Sequence, residues 1–305
     1  MHSFTTRRQL ASTRRPSHIR MWDVDVASFV HVAEVSTTGR LFYGTEAGHL
    51  KHERRTWALH RNAILDFELA GDTIVTASAD HSVKLYDLAK ESTTFEMHRH
   101  ETSVKSVSLA GNRGVSADRD GRIVVFDVRE DTRRCFRELH ARRDTHARGV
   151  SCVVQLDDCI LSAGATDGIL KVWDLRIMHE FHVAFELARL EGTRGIIHMC
   201  LNEDYIFVSR RCRCICVYDK SALLCGKCQE PVRTLSGPAL SSYHNKMCCS
   251  SSRLACGSSD GNVYIWNLAT FSRTVIRGYA SALCCTEEGL CTLFDEVTLS
   301  TYYVD

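Results

Sequence analysis

Proline is scarce, with three residues in 305. Nearly every backbone N–H is therefore available to a hydrogen-bonded ladder. No apolar run approaches the ~20 residues that a membrane-spanning helix needs, so no membrane is expected as a partner. The formal net charge is +1, which leaves no global basic field for nucleic acid and no acidic one for basic partners. Direct sequence-specific nucleic-acid binding is not expected. No glycine-rich phosphate loop opens a helix, and no His-Glu-x-x-His is present. Nothing in the chain argues for an enzyme, and neither cofactor nor metal is expected.

Cysteine, by contrast, is plentiful at 15 residues. The N-terminus lacks the apolar h-region of a secretory signal. Cys212, Cys214 and Cys216, like Cys248 and Cys249, fall inside predicted strands. They read as small buried hydrophobes of a reduced, intracellular protein. Cys225-Gly-Lys-Cys228 has a metal-binding spacing but no second pair. Alternate cysteines on one strand share a face and line up rather than converge on an ion. Residues 1–20 are rich in arginine and contain no acid. Residues 1–16 are read as a basic, disordered arm with import as a second role, and 17–305 as one folded body.

An aspartate recurs six residues ahead of an aromatic: Asp80/Tyr86, Asp120/Phe126, Asp167/Trp173 and Asp260/Trp266. Val83-Lys-Leu-Tyr-Asp, Ile123-Val-Val-Phe-Asp, Leu170-Lys-Val-Trp-Asp and Val263-Tyr-Ile-Trp-Asn are β-branched and aromatic runs, each preceded by a turn. Asp120-Gly121, Asp167-Gly168 and Asp260-Gly261 provide the positive-φ residues that tight hairpins require. Third strands ending at His52, Tyr86, Phe126, Trp173, Tyr218, Trp266 and Tyr302 lie 34, 40, 47, 45, 48 and 36 residues apart. That spacing scatters around the roughly 40–45 residues of one four-stranded blade. The weak copies carry Glu46 and Glu296 where the strong ones carry Asp. These are tryptophan–aspartate (WD40) repeats, and the predicted fold is an all-β, seven-bladed propeller. Ile19-Arg-Met-Trp22-Asp23-Val24 is expected to close its last blade as the outer strand.

Three sets of a His, a hydroxyl and an Asp stand in step with the repeat: His60/Thr76/Asp80, His100/Ser116/Asp120 and His146/Ser162/Asp167. Each could be mistaken for hydrolase machinery. A nucleophile would occur once, whereas these recur with the fold. They are read as structural groups that satisfy buried polar atoms between strands. Asp80, Asp120, Asp167, Asp260, Trp173, Trp266, His60 and His100 are the predicted structural blade positions.

A functional edge comes from the arginine that follows the aromatic–Asp pair in two consecutive repeats, Phe126-Asp127-Val128-Arg129 and Trp173-Asp174-Leu175-Arg176. The second and sixth repeats have Ala89 and Ala269 there. Such arginines would leave on one rim of the ring, where a guanidinium fork suits carboxylates or carbonyls of a partner. This double pattern resembles the boxes by which propellers dock on the damaged-DNA-binding adaptor of cullin-4 ubiquitin ligases. His60-Arg-Asn-Ala-Ile-Leu-Asp66, Ser103-Val-Lys-Ser-Val107, Arg119-Asp-Gly-Arg-Ile-Val-Val-Phe-Asp127, the Leu161–Arg176 stretch and Gly257-Ser-Ser-Asp-Gly-Asn-Val-Tyr-Ile-Trp266 resemble the denticleless family of ligase substrate receptors.

The resemblance implies a nuclear, non-catalytic receptor, monomeric within its complex, that brings replication and cell-cycle regulators to ubiquitination. Among them are substrates bound to the clamp PCNA. It places adaptor binding on Arg176, Arg129, Asp174 and Asp127, with Phe126 standing where the family has Trp. Substrate-contact residues do not carry over. Members of the family carry a long C-terminal tail, whereas the sequence ends at Asp305. The expectation is a tail in another isoform, or capture of substrates without one. The rival reading is a WD40 scaffold of another class, histone-binding or trafficking, in the nucleus or the cytoplasm.

Overall fold

The computed structural model describes residues 29–36, 40–130, 136–138, 149–156, 158–175, 183–187, 195–211, 214–227, 230–240, 246–278, 280, 282–285, 290–294 and 299–303. Their strands form antiparallel meanders, each an up-and-down sheet of sequence neighbours. Blade 1 is β1 (Val30–Val35), β2 (Leu41–Thr45), β3 (His49–His52) and β4 (Arg55–Ala58). Blade 2 is β5 (Ile64–Ala70), β6 (Thr73–Ser78), β7 (Val83–Asp87) and β8 (Ser92–Met97). Blade 3 is β9 (Val104–Ala110), β10 (Arg113–Asp118), β11 (Ile123–Asp127) and β12 (Phe136–Glu138). Blade 4 is β13 (Val150–Leu156), β14 (Cys159–Gly164), β15 (Leu170–Asp174) and β16 (Val183–Leu187). Blade 5 is β17 (Ile196–Leu201), β18 (Tyr205–Arg210), β19 (Cys214–Asp219) and β20 (Arg233–Ser236), with the short α1 (Lys220–Leu224) between its last two strands. Blade 6 is β21 (Met247–Cys249), β22 (Arg253–Gly257), β23 (Asn262–Asn267) and β24 (Arg273–Arg277). A last sheet holds β25 (Ala282–Cys285), β26 (Leu290–Phe294) and β27 (Leu299–Tyr303).

This corrects the expectation of a seven-bladed ring. The propeller is six-bladed in its complete, four-stranded sheets, and the last sheet has three strands. A fourth strand would have to pair with the outer edge of β27, and none does so among the described residues. The segment 19–24, expected to supply that strand, lies outside the described residues, as does the basic arm.

The core is a set of wedges between consecutive sheets. Val75, Leu85 and Phe95 of blade 2 pack on Val107, Leu109 and Phe126 of blade 3. Trp173 of blade 4 lies with Val115, Ile123 and Val125 of blade 3. Val30 and Tyr43 of blade 1 meet Ala282 and Cys284 of the last sheet, so the first and last sheets pack together. Alternation alone explains this arrangement. Side chains on the two faces of each strand enter two different wedges, which is why third strands such as β11 read as continuous apolar runs.

Turns obey the same local logic. Gly121, Gly168 and Gly261 take positive φ ahead of the third strands, and His81 (φ 70) occupies the matching turn in blade 2.

Candidate functional site

The His–hydroxyl–Asp groups sit inside the blades. His60 Nδ1 meets Asp80 Oδ2 at 3.0 Å, and its Nε2 meets Thr76 Oγ1 at 2.7 Å. Ser82 Oγ donates to Asp80 at 2.6 Å, and the Arg61 N–H donates at 3.0 Å. Burial raises the Asp80 carboxyl, but the bonds from His60, Ser82 and Arg61 outweigh it and hold the group well below the usual carboxylate range. Thr76 and Ser116 are wholly buried, so no substrate reaches either hydroxyl. These groups tie strands together rather than perform hydrolysis.

Blade 3 departs from the expected set. His100 Nδ1 pairs with Asp118 Oδ2 at 2.9 Å, and its Nε2 with Ser116 Oγ at 2.8 Å. Asp120, predicted as the partner, is exposed and contributes its backbone N–H to Asp118. Both acids sit on one tight turn two residues apart, and burial selects Asp118.

In blade 4, Trp173 Nε1 donates to Ser162 Oγ at 2.8 Å, and Asp167 accepts from the Ile169 N–H at 3.0 Å. His146 lies outside the described residues. In blade 6, Trp266 is buried against Tyr264, whose hydroxyl donates to Asp260 at 2.7 Å.

The aspartate that ends a third strand builds a recurrent turn. Asp87 accepts from the N–H groups of Ala89 and Lys90, and Asn267 from those of Ala269 and Thr270. Asp127 makes the same turn with the N–H of Arg129 at 2.9 Å. It differs in also gripping the Arg129 side chain, with Nε at 3.0 Å and Nη2 at 2.6 Å. Those bonds lower the Asp127 carboxyl. The arginine remains 67% exposed, so a fixed fork is presented to solvent. Beside it opens a shallow pocket of about 360 Å³ lined by Asn112, Arg113, Asp127, Arg129 and Gln155. Gln155 is buried, and among the described residues its Oε1 has no hydrogen-bond donor. Asp174 is half-buried at the corresponding end of β15, while Arg176 lies outside the described residues.

The inner strands line a central channel of about 490 Å³. Neighbouring inner strands are linked across it by side chains that accept backbone N–H bonds. Glu34 accepts from Leu69, Asp66 from Val107, Glu68 from Leu109, Ser106 from Val153 and Ser108 from Gln155. Each link satisfies an amide that no ladder reaches.

Thiols also line the channel. Cys152 is pushed up to about 11 by burial, and Cys248 Sγ lies 3.0 Å from Cys285 Sγ between blade 6 and the last sheet. No group of three or more His, Cys, Asp or Glu among the described residues could hold a metal ion. Cys212 and Cys228 lie outside them.

Burial, and then the charge of Glu68, pushes Glu34 up to about 8; burial raises Glu68 to about 6. A carboxyl raised in this way stays neutral in the fold at pH values where the unfolded chain has already ionised it. The ring therefore loses stability as pH climbs from the unfolded value of 4.5 towards 8. Glu34→Gln keeps an acceptor for Leu69 but does not titrate. It is expected to melt like wild type at pH 4.5 and several degrees higher above pH 8. Identical melting at both pH values would contradict the buried acid.

Two segments, 135–174 and 229–267, match the model of the "WD domain, G-beta repeat" family. The denticleless protein homolog of Danio rerio is 28% identical over 254 residues, covering 70% of this chain and 39% of that protein. The cell division cycle protein cdt2 of Schizosaccharomyces pombe is 27% identical over 236 residues, covering 66% of this chain and 47% of its own. Protein lethal(2)denticleless of Drosophila melanogaster is 26% identical over 253 residues, 68% of this chain and 33% of that one. The chain carries WD40 repeats and resembles the denticleless proteins. It spans less than half the length of these three relatives. In solved structures, the computationally designed Ika8 protein superposes with a TM-score of 0.67 at 15% identity, covering 93% of this chain and all of its own. That likeness is one of fold alone.

Sequence reasoning about this WD40 ring missed the channel. The signal was available in β5 and β9, where Asp66 and Glu68, then Ser106 and Ser108, recur at a two-residue interval. Polar groups on a face that should be apolar mark a strand that lines something other than a core. Gln155 and Lys246 carried no motif and emerge only from the packing.

Proposed function

We propose that this WD40 ring is the substrate-recognition subunit of a cullin-4 RING ubiquitin ligase. The observation that carries the reading is the Asp127–Arg129 fork, locked by its own carboxylate and exposed on the rim. A second Asp-x-Arg set, Asp174 and Arg176, follows at the same place in the next blade's sequence. With Nε and Nη2 committed to Asp127, Nη1 of Arg129 remains to meet a carbonyl or carboxylate of the adaptor. The orphaned Oε1 of Gln155 in the adjoining pocket offers an acceptor to a donor from the same partner. Similarity to the denticleless proteins supports this choice over a histone-binding or trafficking scaffold.

In this role the ring performs no bond chemistry. It holds replication and cell-cycle regulators, PCNA-bound ones among them, close to the charged conjugating enzyme, which raises the effective concentration of their lysines. The place of action is the nucleus, as a monomer within the complex.

The double variant Arg129→Ala/Arg176→Ala is expected to lose co-purification with the damaged-DNA-binding adaptor by tenfold or more, since a central interface arginine is worth about 2 kcal/mol or more. Its melting temperature should be unchanged, because Arg129 is exposed. Full recovery of the adaptor with this variant defeats the receptor reading in favour of a scaffold of another class.

A further inference from the structure

The end of the channel opposite the Arg129 rim is a cationic funnel. β11 separates the two ends: Arg119 stands in the turn before it and Arg129 in the turn after it, and five residues of strand span ~17 Å. The funnel is a cavity of about 420 Å³ whose wall is built from the starts of the inner strands. Lys105 comes from β9, Ser151 from β13 and Lys246 from the residue before β21, while Arg119 and Thr166 reach in from hairpin turns.

Three cations thus converge on one opening, and among the described residues no carboxylate lines it. Lys246 is held by the Leu65 carbonyl at 2.6 Å and by Asp66, one step deeper, at 3.2 Å. Lys105 and Arg119 form no ion pair among the described residues. Holding like charges together in a partly enclosed site costs free energy, and a negative ligand recovers it. Burial, and then the charges of Arg119 and Lys246, lower the Lys105 ammonium below the ordinary lysine range, which reports the same crowding.

We propose that this funnel binds an anionic side chain, a carboxylate or a phosphorylated hydroxyl, on a peptide segment of a partner protein. Lys105 and Arg119 supply the charge, Lys246 anchors the wall, and the Ser151 and Thr166 hydroxyls lie within the same cavity. The size favours a peptide over nucleic acid. A cavity of about 420 Å³ admits a few side chains, whereas a nucleic-acid surface lays a basic track along many phosphates. The inference goes beyond the ligase reading and does not depend on it, because it concerns the other face of the ring.

The test uses fluorescence anisotropy on the whole chain. The probes are fluorescein-labelled hexaglutamate, hexaglutamine, a neutral hexapeptide bearing one phosphoserine, and a ten-residue oligothymidylate. Hexaglutamate and the phosphopeptide are expected to bind, hexaglutamine is not, and raising the salt should weaken both. Lys105→Gln/Arg119→Gln should weaken them tenfold or more, and Arg119→Gln alone, at an exposed turn position, severalfold. Lys90→Gln, on the far face, should change nothing. Arg129→Ala/Arg176→Ala should bind the probes like wild type, which separates this site from adaptor docking. Equal binding of hexaglutamine, undiminished affinity in Arg119→Gln, or tighter binding of the oligothymidylate would overturn the proposal.

Discussion

Trp173→Ala is expected to cost the ring about 3–5 kcal/mol, the range for removing a large aromatic from a packed core. The indole is 1% exposed and lies among Val115, Ile123 and Val125 of blade 3 and Val150, Val153 and Ile160 of its own blade. Its loss opens a cavity in the wedge between blades 3 and 4 and leaves Ser162 Oγ without the Nε1 donor at 2.8 Å. Both effects point the same way, and the hydrogen bond lost in the interior adds to the cavity cost. Thermal melting should fall by roughly 1.5 °C for each kcal/mol in a chain of this size. A variant that melts with wild type would contradict the placement of this residue in the wedge.

Asp118→Ala should be of similar severity, and Asp120→Ala nearly silent. Asp118 is 1% exposed, faces the equally enclosed His100, and accepts the N–H groups of Asp120 and Arg122 at 3.0 and 2.9 Å. Burial raises its carboxyl, but the bonds from His100 and the turn amides outweigh this and leave it lowered. Removing one member of a buried pair costs about 3–5 kcal/mol, because the other is stranded. Asp120 points to solvent, where a substitution changes stability by about 0.5 kcal/mol or less. The sign of the pH dependence is set by the lowered carboxyl. Its contribution is complete above the unfolded value near ~4 and fades as pH falls through the lower folded one. The gap between Asp118→Ala and wild type should therefore narrow in acid. Equal losses from the two alanine variants would restore Asp120 as the partner of His100.

The contrast between those two acids shows where sequence reasoning ends. In blade 2 the carboxylate that meets His60 is Asp80, four residues after Thr76; in blade 3 it is Asp118, two after Ser116. Ser78 and Asp118 hold equivalent places in their turns, and each accepts the N–H of the residue two further on. A spacing rule learned from one repeat chooses the wrong acid in the next, since either turn position can reach an imidazole. Phe126 illustrates the reverse case. It carries no polar atom for the set, yet its ring covers Gly114, where a Cβ would stand 2.3 Å away, and stacks on Phe95 at 5.4 Å.

What the amino-acid order determined by itself is local. β-branched and aromatic runs such as Leu170-Lys-Val-Trp-Asp became strands, Asp-Gly pairs became positive-φ turns, and the Asp127–Arg129 fork arose from residues two apart. Short-range sterics and nearest-neighbour hydrogen bonds settle such matters, and the repeat displays them again and again. What only the tertiary structure decided is which groups from distant repeats meet. Among the described residues six blades are complete and the last sheet is not, because the count depends on whether an edge strand finds a partner from elsewhere in the chain. Glu34 accepts an amide 35 residues away, and Lys246 crosses to Leu65 over 181. Strand alternation states which face a side chain leaves from, but its partner is chosen by the curvature of the closed ring.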